Sequence, residues 1–279
     1  MILVVGATGH FGRETVEALA AVGEPVRALS RTPEKAALPA GVEVVRGDLA
    51  DAETLAPALA GVTAVLMVLP YGADPAALLG AASAAGVRRI VFVSSGAVVD
   101  GAAPQPDVIA AYHAGVERAV VATGIPHTFL RLMFPAVNSL SFAGQLADGD
   151  VVRAPYAAAV SAPVHERDVA DVAVRVLLEE GHGGRTYLLT GPQRLTQAEQ
   201  VRVLGQVLGR ALVFEELEAG PVREQMARFM DPEFVGALFD LMEATIGKEV
   251  EVTPAVERIT GRAPRGYVEW AANHVADFA

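Results

Sequence analysis

The chain opens MILVVGATGHFG, in which a short apolar run passes without a break into three glycines, Gly6, Gly9 and Gly12, spaced G-x-x-G-x-x-G. A glycine triad alone says little. Placed after an apolar strand and ahead of the helix-forming stretch 11–22, it demands a strand, a tight turn and a helix at one edge of a parallel sheet. Gly6 permits the turn, Gly9 lets backbone approach a pyrophosphate, and Gly12 lets helix and strand pack closely, while the amides of the helix start attract phosphate charge. Dinucleotide binding is the reading, with Thr8, His10 and Phe11 completing the turn.

The rest of the first half repeats that unit. Apolar runs at 1–5, 25–29, 42–45, 64–69, 89–94 and 127–132 are rich in β-branched residues and mostly free of charge, as strands covered on both faces are. Helical stretches are expected between them at 11–22, 33–38, 51–60, 74–85 and 107–123, with Thr32, Asp51 and Asp74 as caps and Pro33 in a first turn. The alternation predicts an α/β fold, a doubly wound parallel Rossmann sheet over 1–150, with a smaller mixed C-terminal lobe over 151–279 interleaved with it. In that lobe a strand is expected at 185–190, a helix from Thr196 with Glu199 closing a capping box, a strand at 212–217, and helices near 221–246, 254–261 and 266–278.

Composition narrows the function classes. Lysine and arginine number 22 against 33 acids, a formal charge of −11. Such a field repels nucleic-acid backbones and anionic lipid, and no local basic patch offsets it. The sequence contains no cysteine, which removes disulfides, thiolate metal sites and cysteine nucleophiles together. No apolar stretch reaches the roughly 20 residues of a membrane span, and no basic leader precedes the glycine turn, so a cytoplasmic protein is expected.

The end of the second apolar run decides which dinucleotide. There the sequence reads LSRTPE, with Ser30 where an acid would hold the ribose hydroxyls and Arg31 beside it. A hydroxyl and a guanidinium fork suit a 2′-phosphate, so NADP(H) is preferred over NAD(H). After the third run, RGDL places Asp48 to accept from an adenine amino group and Leu49 to flank the ring.

These motifs, with VSSGA (93–97), GIPHTFLRLMFPAVN (124–138), VSAPVHERDVADVA (160–173) and YLLTGPQRLTQAEQ (187–200), resemble the NmrA-like group of atypical short-chain dehydrogenase/reductases over almost the whole chain. Bacterial NAD(P)H:quinone oxidoreductase-like members are the most similar in character. The resemblance implies NADPH in a cleft whose nicotinamide end is bordered by Leu69 and Pro70, by Ser94 and Ser95, and by Met133 to Pro135, including Phe134.

In orthodox short-chain dehydrogenases a tyrosine and a lysine one helical turn apart perform the proton chemistry. Here the helix reads AYHAGVE. Counting from Tyr112 the lysine position holds Val116; counting from the place where relatives keep a lysine, that residue is His113 and the tyrosine position is Ile109. The usual proton donor is absent. His113 is a candidate for hydrogen bonding to ribose or for general acid catalysis, since an ordinary imidazole titrates near pH 6.5. Tyr112, about 100° around the helix, faces differently, and Ser95 completes the catalytic candidates. An enzyme without the orthodox acid still reduces an electrophile that needs no forced protonation, so a quinone or another activated, largely apolar carbonyl is the expected substrate. Met133, Phe134, Leu140, Phe142, Phe229 and Phe239 offer an apolar lining, and YGADP and DGAAPQPD are loops at the same edge.

His165, Glu166 and Asp168 read as structural: the first two as strand neighbours on opposite faces, the third as the cap of a helix over 169–179. The run 229–244 reads as core or a homodimer contact, and no metal site is expected. Two functions stand at this point: an NADPH-dependent reductase, or a non-catalytic NADP(H) sensor that regulates a protein partner. An epimerase or dehydratase would need the missing tyrosine.

Overall fold

A computed structural model describes residues 1–278. Along the chain run β1 (Ile2–Val5), α1 (His10–Ala21), β2 (Val26–Ser30), β3 (Glu43–Arg46), α2 (Leu55–Ala58), β4 (Ala64–Met67), α3 (Ala76–Ala84), β5 (Arg89–Ser95), α4 (Val108–Ala122), β6 (His127–Leu132), α5 (Ala143–Ala147), β7 (Val151–Ala154) and β8 (Val160–Ser161). There follow α6 (Glu166–Leu178), β9 (Arg185–Leu189), β10 (Leu195–Thr196), α7 (Gln197–Leu208), β11 (Val213–Glu216), α8 (Ala219–Met226), α9 (Pro232–Glu243), α10 (Ala255–Thr260) and α11 (Tyr267–Asn273).

Seven parallel strands form the main sheet in the order β3-β2-β1-β4-β5-β6-β9. Strand alternation explains why the runs carry so little charge. Ile2 and Val4 of β1 enter a core shared with Val16 and Leu19 of α1 and Val169 and Val172 of α6. Their neighbours Leu3 and Val5 enter the opposite core, with Leu78 and Leu79 of α3 and Val116 and Val120 of α4. Helices therefore cover both faces, and the side chains of β1 have an apolar destination on either side. The order reverses between β1 and β4, which opens the crevice where such sheets take ligands.

Beyond residue 150 the chain both leaves and rejoins this sheet. α6 packs on α1, and β9 becomes the seventh strand beside β6. A separate core joins Phe142, Leu146, Val152, Leu204, Tyr267 and Trp270 from the 3₁₀ segment Ala136–Phe142, α5, β7, α7 and α11. β7 pairs in parallel with β11, and β8 pairs antiparallel with β10. Thr196 and Glu199 form the expected capping box on α7.

Four local expectations are corrected. The helix expected at 33–38 is a single 3₁₀ turn at Pro33–Lys35, because Arg13 from α1 takes the carbonyls of Ala36 and Ala37 at 3.0 and 2.7 Å and Ala37 turns to φ +45°. The helix expected over 221–246 is two helices, since Asp231 caps the second with its carboxylate on the amides of Glu233 and Phe234, and Pro232 starts it. Asp168 is not a cap: the helix begins at Glu166, and His165 caps it by accepting from the amide of Arg167. His165 and Glu166 thus lie at a helix start rather than in a strand. Asp168 is buried within the first turn and binds the backbone and guanidinium of Arg265.

Candidate active site

The turn after β1 forms one wall of the crevice. Gly6 has φ +76°, and a Cβ there would stand 2.3 Å from the carbonyl oxygen of Val68, just past β4. At Gly12 a Cβ would lie 2.1 Å from the Gly6 oxygen and 2.9 Å from the Ala7 Cα. Both glycines are therefore required by the protein's own backbone. Gly9 is different: its φ is −83°, open to any residue, and a Cβ would meet nothing nearer than 3.5 Å. Neither conformation nor packing within the protein asks for glycine there, and the face of the turn at Gly9 is open to solvent.

Thr8, Gly9 and His10 are exposed, and Phe11 packs partly on the core below. No side chain caps α1 and no carboxylate stands in its first turn, so the positive end of the helix is available to an anion. At the end of β2 the hydroxyl of Ser30 accepts from the amide of Thr32, and Arg31 is exposed with no partner for its guanidinium among the described residues. Arg46 donates to the Arg31 carbonyl at 2.9 Å. Asp48 accepts from the amide of Ala50 through one oxygen, and Leu49 and Leu69 pack at the edge of the second core. Glycines for close approach, an uncapped helix start and an arginine beyond it match a dinucleotide with its pyrophosphate on the turn.

The opposite wall is built from the ends of β5 and β6 with α4. Glu117 and Arg131 meet in the interior: Arg131 donates through Nε at 3.0 Å and through Nη2 at 2.8 Å, one bond to each carboxylate oxygen. The Ser94 hydroxyl donates to the same carboxylate at 2.6 Å, so Ser94 turns into this network rather than toward the crevice. Arg131 also reaches Asp100 at 2.6 Å, fastening the loop after β5. Doubly bonded in a buried place, the Arg131 guanidinium is held charged, with Glu117 the leading cause. Ser95 accepts from the amide of Ala97.

On α4, His113 lies one turn before Glu117. Its Nδ1 donates to the carbonyl of Ile109 at 2.8 Å, and burial holds its pKa below the ordinary imidazole value despite that bond. At neutral pH the ring is neutral, Nδ1 carries the hydrogen, and Nε2 is a bare acceptor. The Tyr112 hydroxyl faces the carbonyls of Pro70 and Ala73 at 2.9 and 3.0 Å, and burial raises its pKa. It anchors the loop after β4. Tyr71 of that loop packs edge-on against Tyr112 and also against Phe234 of α9, joining the loop to the C-terminal lobe.

Beyond Phe134 lies a cavity of about 520 Å³. Phe134 itself stands at φ +48°, a conformation that side chains other than glycine's rarely adopt, and so turns the chain sharply off the end of β6. Apolar walls come from Phe134, Phe142, Phe234, Leu238, Phe239 and Met242, and polar ones from Asn138, Gln145, Gln197 and Gln200. Arg153 is the single charged residue in the lining. Of the apolar residues singled out in the sequence, Phe134, Phe142 and Phe239 reach this cavity. Met133 and Leu140 pack into neighbouring cores, and Phe229 is 85% exposed on the far side of the break before α9. His113, Tyr112 and Ser95 lie outside the cavity lining, and α4 touches the cavity's wall through Phe234 and Leu238. No sequence pattern pointed to Gln145, Arg153 or, in α9, to Phe234, Leu238 and Met242, which join Phe239 in the lining only through the fold of the lobe.

The pattern of the NmrA-like family matches residues 1–271. The chain belongs to that family. A (4-alkanoyl-5-oxo-2,5-dihydrofuran-3-yl)methyl phosphate reductase of Streptomyces griseus is 42% identical, across 100% of this chain and 99% of its own. An NAD(P)H azoreductase of Xenophilus azovorans is 33% identical with the same coverage. Among solved structures, the NADPH complex of an NADPH-dependent quinone oxidoreductase from Escherichia coli superposes with a TM-score of 0.80, at 25% identity over 98% of this chain and 99% of the other. End-to-end kinship with reductases places this chain among the NAD(P)H-dependent reductases of the family. No helix among the described residues is long and apolar enough to cross a membrane.

Proposed function

We propose that the protein uses NADPH to reduce a quinone or another activated, largely apolar carbonyl compound held in the cavity beyond Phe134. The observation that carries this reading is the position of that cavity, which opens at the carboxyl end of β6 on the side of the crevice where the nicotinamide is expected. Hydride is the chemistry a bound nicotinamide supplies. The chain's own residues do the rest. The turn from Gly6 to Gly12 holds the pyrophosphate, Arg31 and Ser30 face the 2′-phosphate, and Asp48 and Leu49 flank the adenine. Leu69 and Pro70, fixed by the Tyr112 hydroxyl, border the nicotinamide opposite Phe134.

His113 in this scheme accepts from a ribose hydroxyl through Nε2. A neutral ring with its hydrogen on Nδ1 is a poor general acid, and an electrophilic acceptor removes the need for one: hydride addition to a quinone or conjugated enone leaves a delocalised oxyanion stable enough to form unprotonated, and it takes its proton from water afterwards. The Streptomyces griseus relative is named for a conjugated lactone with an alkanoyl arm, an acceptor of this electronic type. The apolar wall from Phe134 to Met242 suits such an arm. A regulatory role is less well supported, because the relatives that are 42% and 33% identical over the full length are reductases.

The test is NADPH consumption followed at the nicotinamide absorbance across quinones, conjugated enones and isolated ketones. Saturable turnover of the first two with none of the third is expected. Tight NADPH binding with no consumption of any acceptor would sink the reductase reading.

A further inference from the structure

The cavity beyond Phe134 contains no aspartate or glutamate in its wall, although the chain carries 33 acids and a net charge of −11. Its one charged residue is Arg153, in the middle of β7. In the parallel pairing of β7 with β11, Arg153 stands opposite Glu215, and the two join through Arg153 Nε at 3.0 Å. A guanidinium has two edges. Glu215 engages it at Nε, and neither Nη nitrogen has a partner among the described residues. The backbone beneath is fixed: Gln145 accepts from the Arg153 amide at 2.7 Å and donates to its carbonyl at 3.2 Å. A carboxylate on one edge sets the plane of the fork, and the other edge is left for a second anion, the geometry in which arginine binds phosphate or carboxylate oxygens in pairs.

We propose that Arg153 is the specificity residue of the substrate site and that the substrate carries an anionic tail, a phosphate monoester or a carboxylate, attached to its electrophilic body. The inference rests on the reading of this cavity as the substrate seat. The Arg153 side chain is half-exposed, so its Nη edge stays open to a ligand, and no aspartate or glutamate of the cavity wall competes for it. Glu215 neutralises the guanidinium only from the strand behind.

The experiment uses the full chain saturated with NADP⁺, so that the turn after β1 is filled and cannot capture phosphate. A cyclic enone bearing a hydroxymethyl group, its phosphate monoester and the matching carboxymethyl compound are titrated by calorimetry into the wild type, Arg153→Gln and Arg153→Lys. On the order of 10-fold tighter binding of an anionic compound than of the alcohol is expected for the wild type, as a half-exposed charged contact gives. That ratio should fall to about one in Arg153→Gln and recover in part in Arg153→Lys. Preference for the phosphate over the carboxylate identifies the tail as an ester; the reverse identifies an acid. Equal binding of alcohol and both anions to the wild type overturns the inference, as does a preference that survives in Arg153→Gln. NADPH consumption is then measured with the same compounds. An anion preference without consumption leaves the Arg153 seat standing and removes the reductase reading, whereas consumption without preference does the opposite.

Discussion

The turn after β1 and the wall formed by β5, β6 and α4 face the same crevice, yet they are specified in different ways. The turn works through backbone atoms placed by three glycines within seven residues. The opposite wall works through side chains brought together from distant positions: Ser94, Asp100, Glu117 and Arg131 in one buried network, and the cavity lining from Phe134 to Thr245. A backbone device is decided by space, so a single methyl group defeats it. A side-chain device is decided by charge balance, and it fails when one partner of a pair is removed.

The largest effect is therefore expected at Glu117. Both members of its pair with Arg131 are about nine-tenths buried, at 9% and 10% side-chain exposure. Glu117→Leu leaves a guanidinium in the interior with only the exposed Asp100 for company, and should cost about 3–5 kcal/mol in a denaturant melt. Adding Arg131→Met should return most of that loss, since two apolar groups leave no charge stranded. If the double variant is no more stable than the single one, charge balance is not what holds this wall.

The turn supplies the contrasting pair. In Gly12→Ala the new methyl meets backbone at 2.1 and 2.9 Å, so helix and strand must separate, at a cost of about 1–3 kcal/mol, with loss of NADPH binding. In Gly9→Ala the methyl is free of the protein, and the melting temperature should stay within a degree or two while NADPH affinity falls at least 10-fold. Equal affinity in Gly9→Ala and wild type would show that no ligand lies against that glycine. A smaller change is expected beyond the turn. Arg31→Ala should shrink the ratio of NADPH to NADH affinity about 10-fold with little change toward NADH, because an exposed arginine contact with a phosphate is of that size. Titration of each dinucleotide decides it.

The same division explains what was legible beforehand. The sheet, the glycine turn after β1 and the capping box at Thr196 are written in short local patterns, and each appears where the pattern stands. The 33–38 helix failed on a contact from outside the window, because its carbonyls go to Arg13, more than 20 residues away. Asp168 looked like a cap because it precedes an apolar run, but it pairs with Arg265, nearly a hundred residues on. Glu117 carried no mark distinguishing it from a solvated helix residue. It became visible only when β6 placed Arg131 beside it. Arg153 likewise reads as one charge in an ordinary strand until β11 brings Glu215 behind it and α9 closes the cavity in front.

The smallest expected effect separates the two devices at their meeting point. His113 is a side chain of the second wall, but its role toward the ribose requires only an acceptor, as the turn requires only amides. Burial lowers its pKa, so protonation is disfavoured in the fold: the charged ring is admitted only as pH falls below the ordinary value near 6.5, and stability is lost in that acid range and not above it. From about pH 6.5 upward the ring stays neutral, and kcat/KM should be level through pH 8 on its account. A general acid would behave in the opposite manner, with activity falling as pH rises through the imidazole titration. His113→Gln keeps an acceptor of similar reach and should lose about 5-fold in kcat/KM, the size of one weakened hydrogen bond, chiefly through a higher KM for NADPH. His113→Phe, which keeps the ring and removes the acceptor, should lose more in that KM and leave the pH profile unchanged. A wild-type profile that declines above pH 6.5 and flattens in His113→Phe would make the histidine a proton donor, and the crevice would then hold a side-chain acid after all.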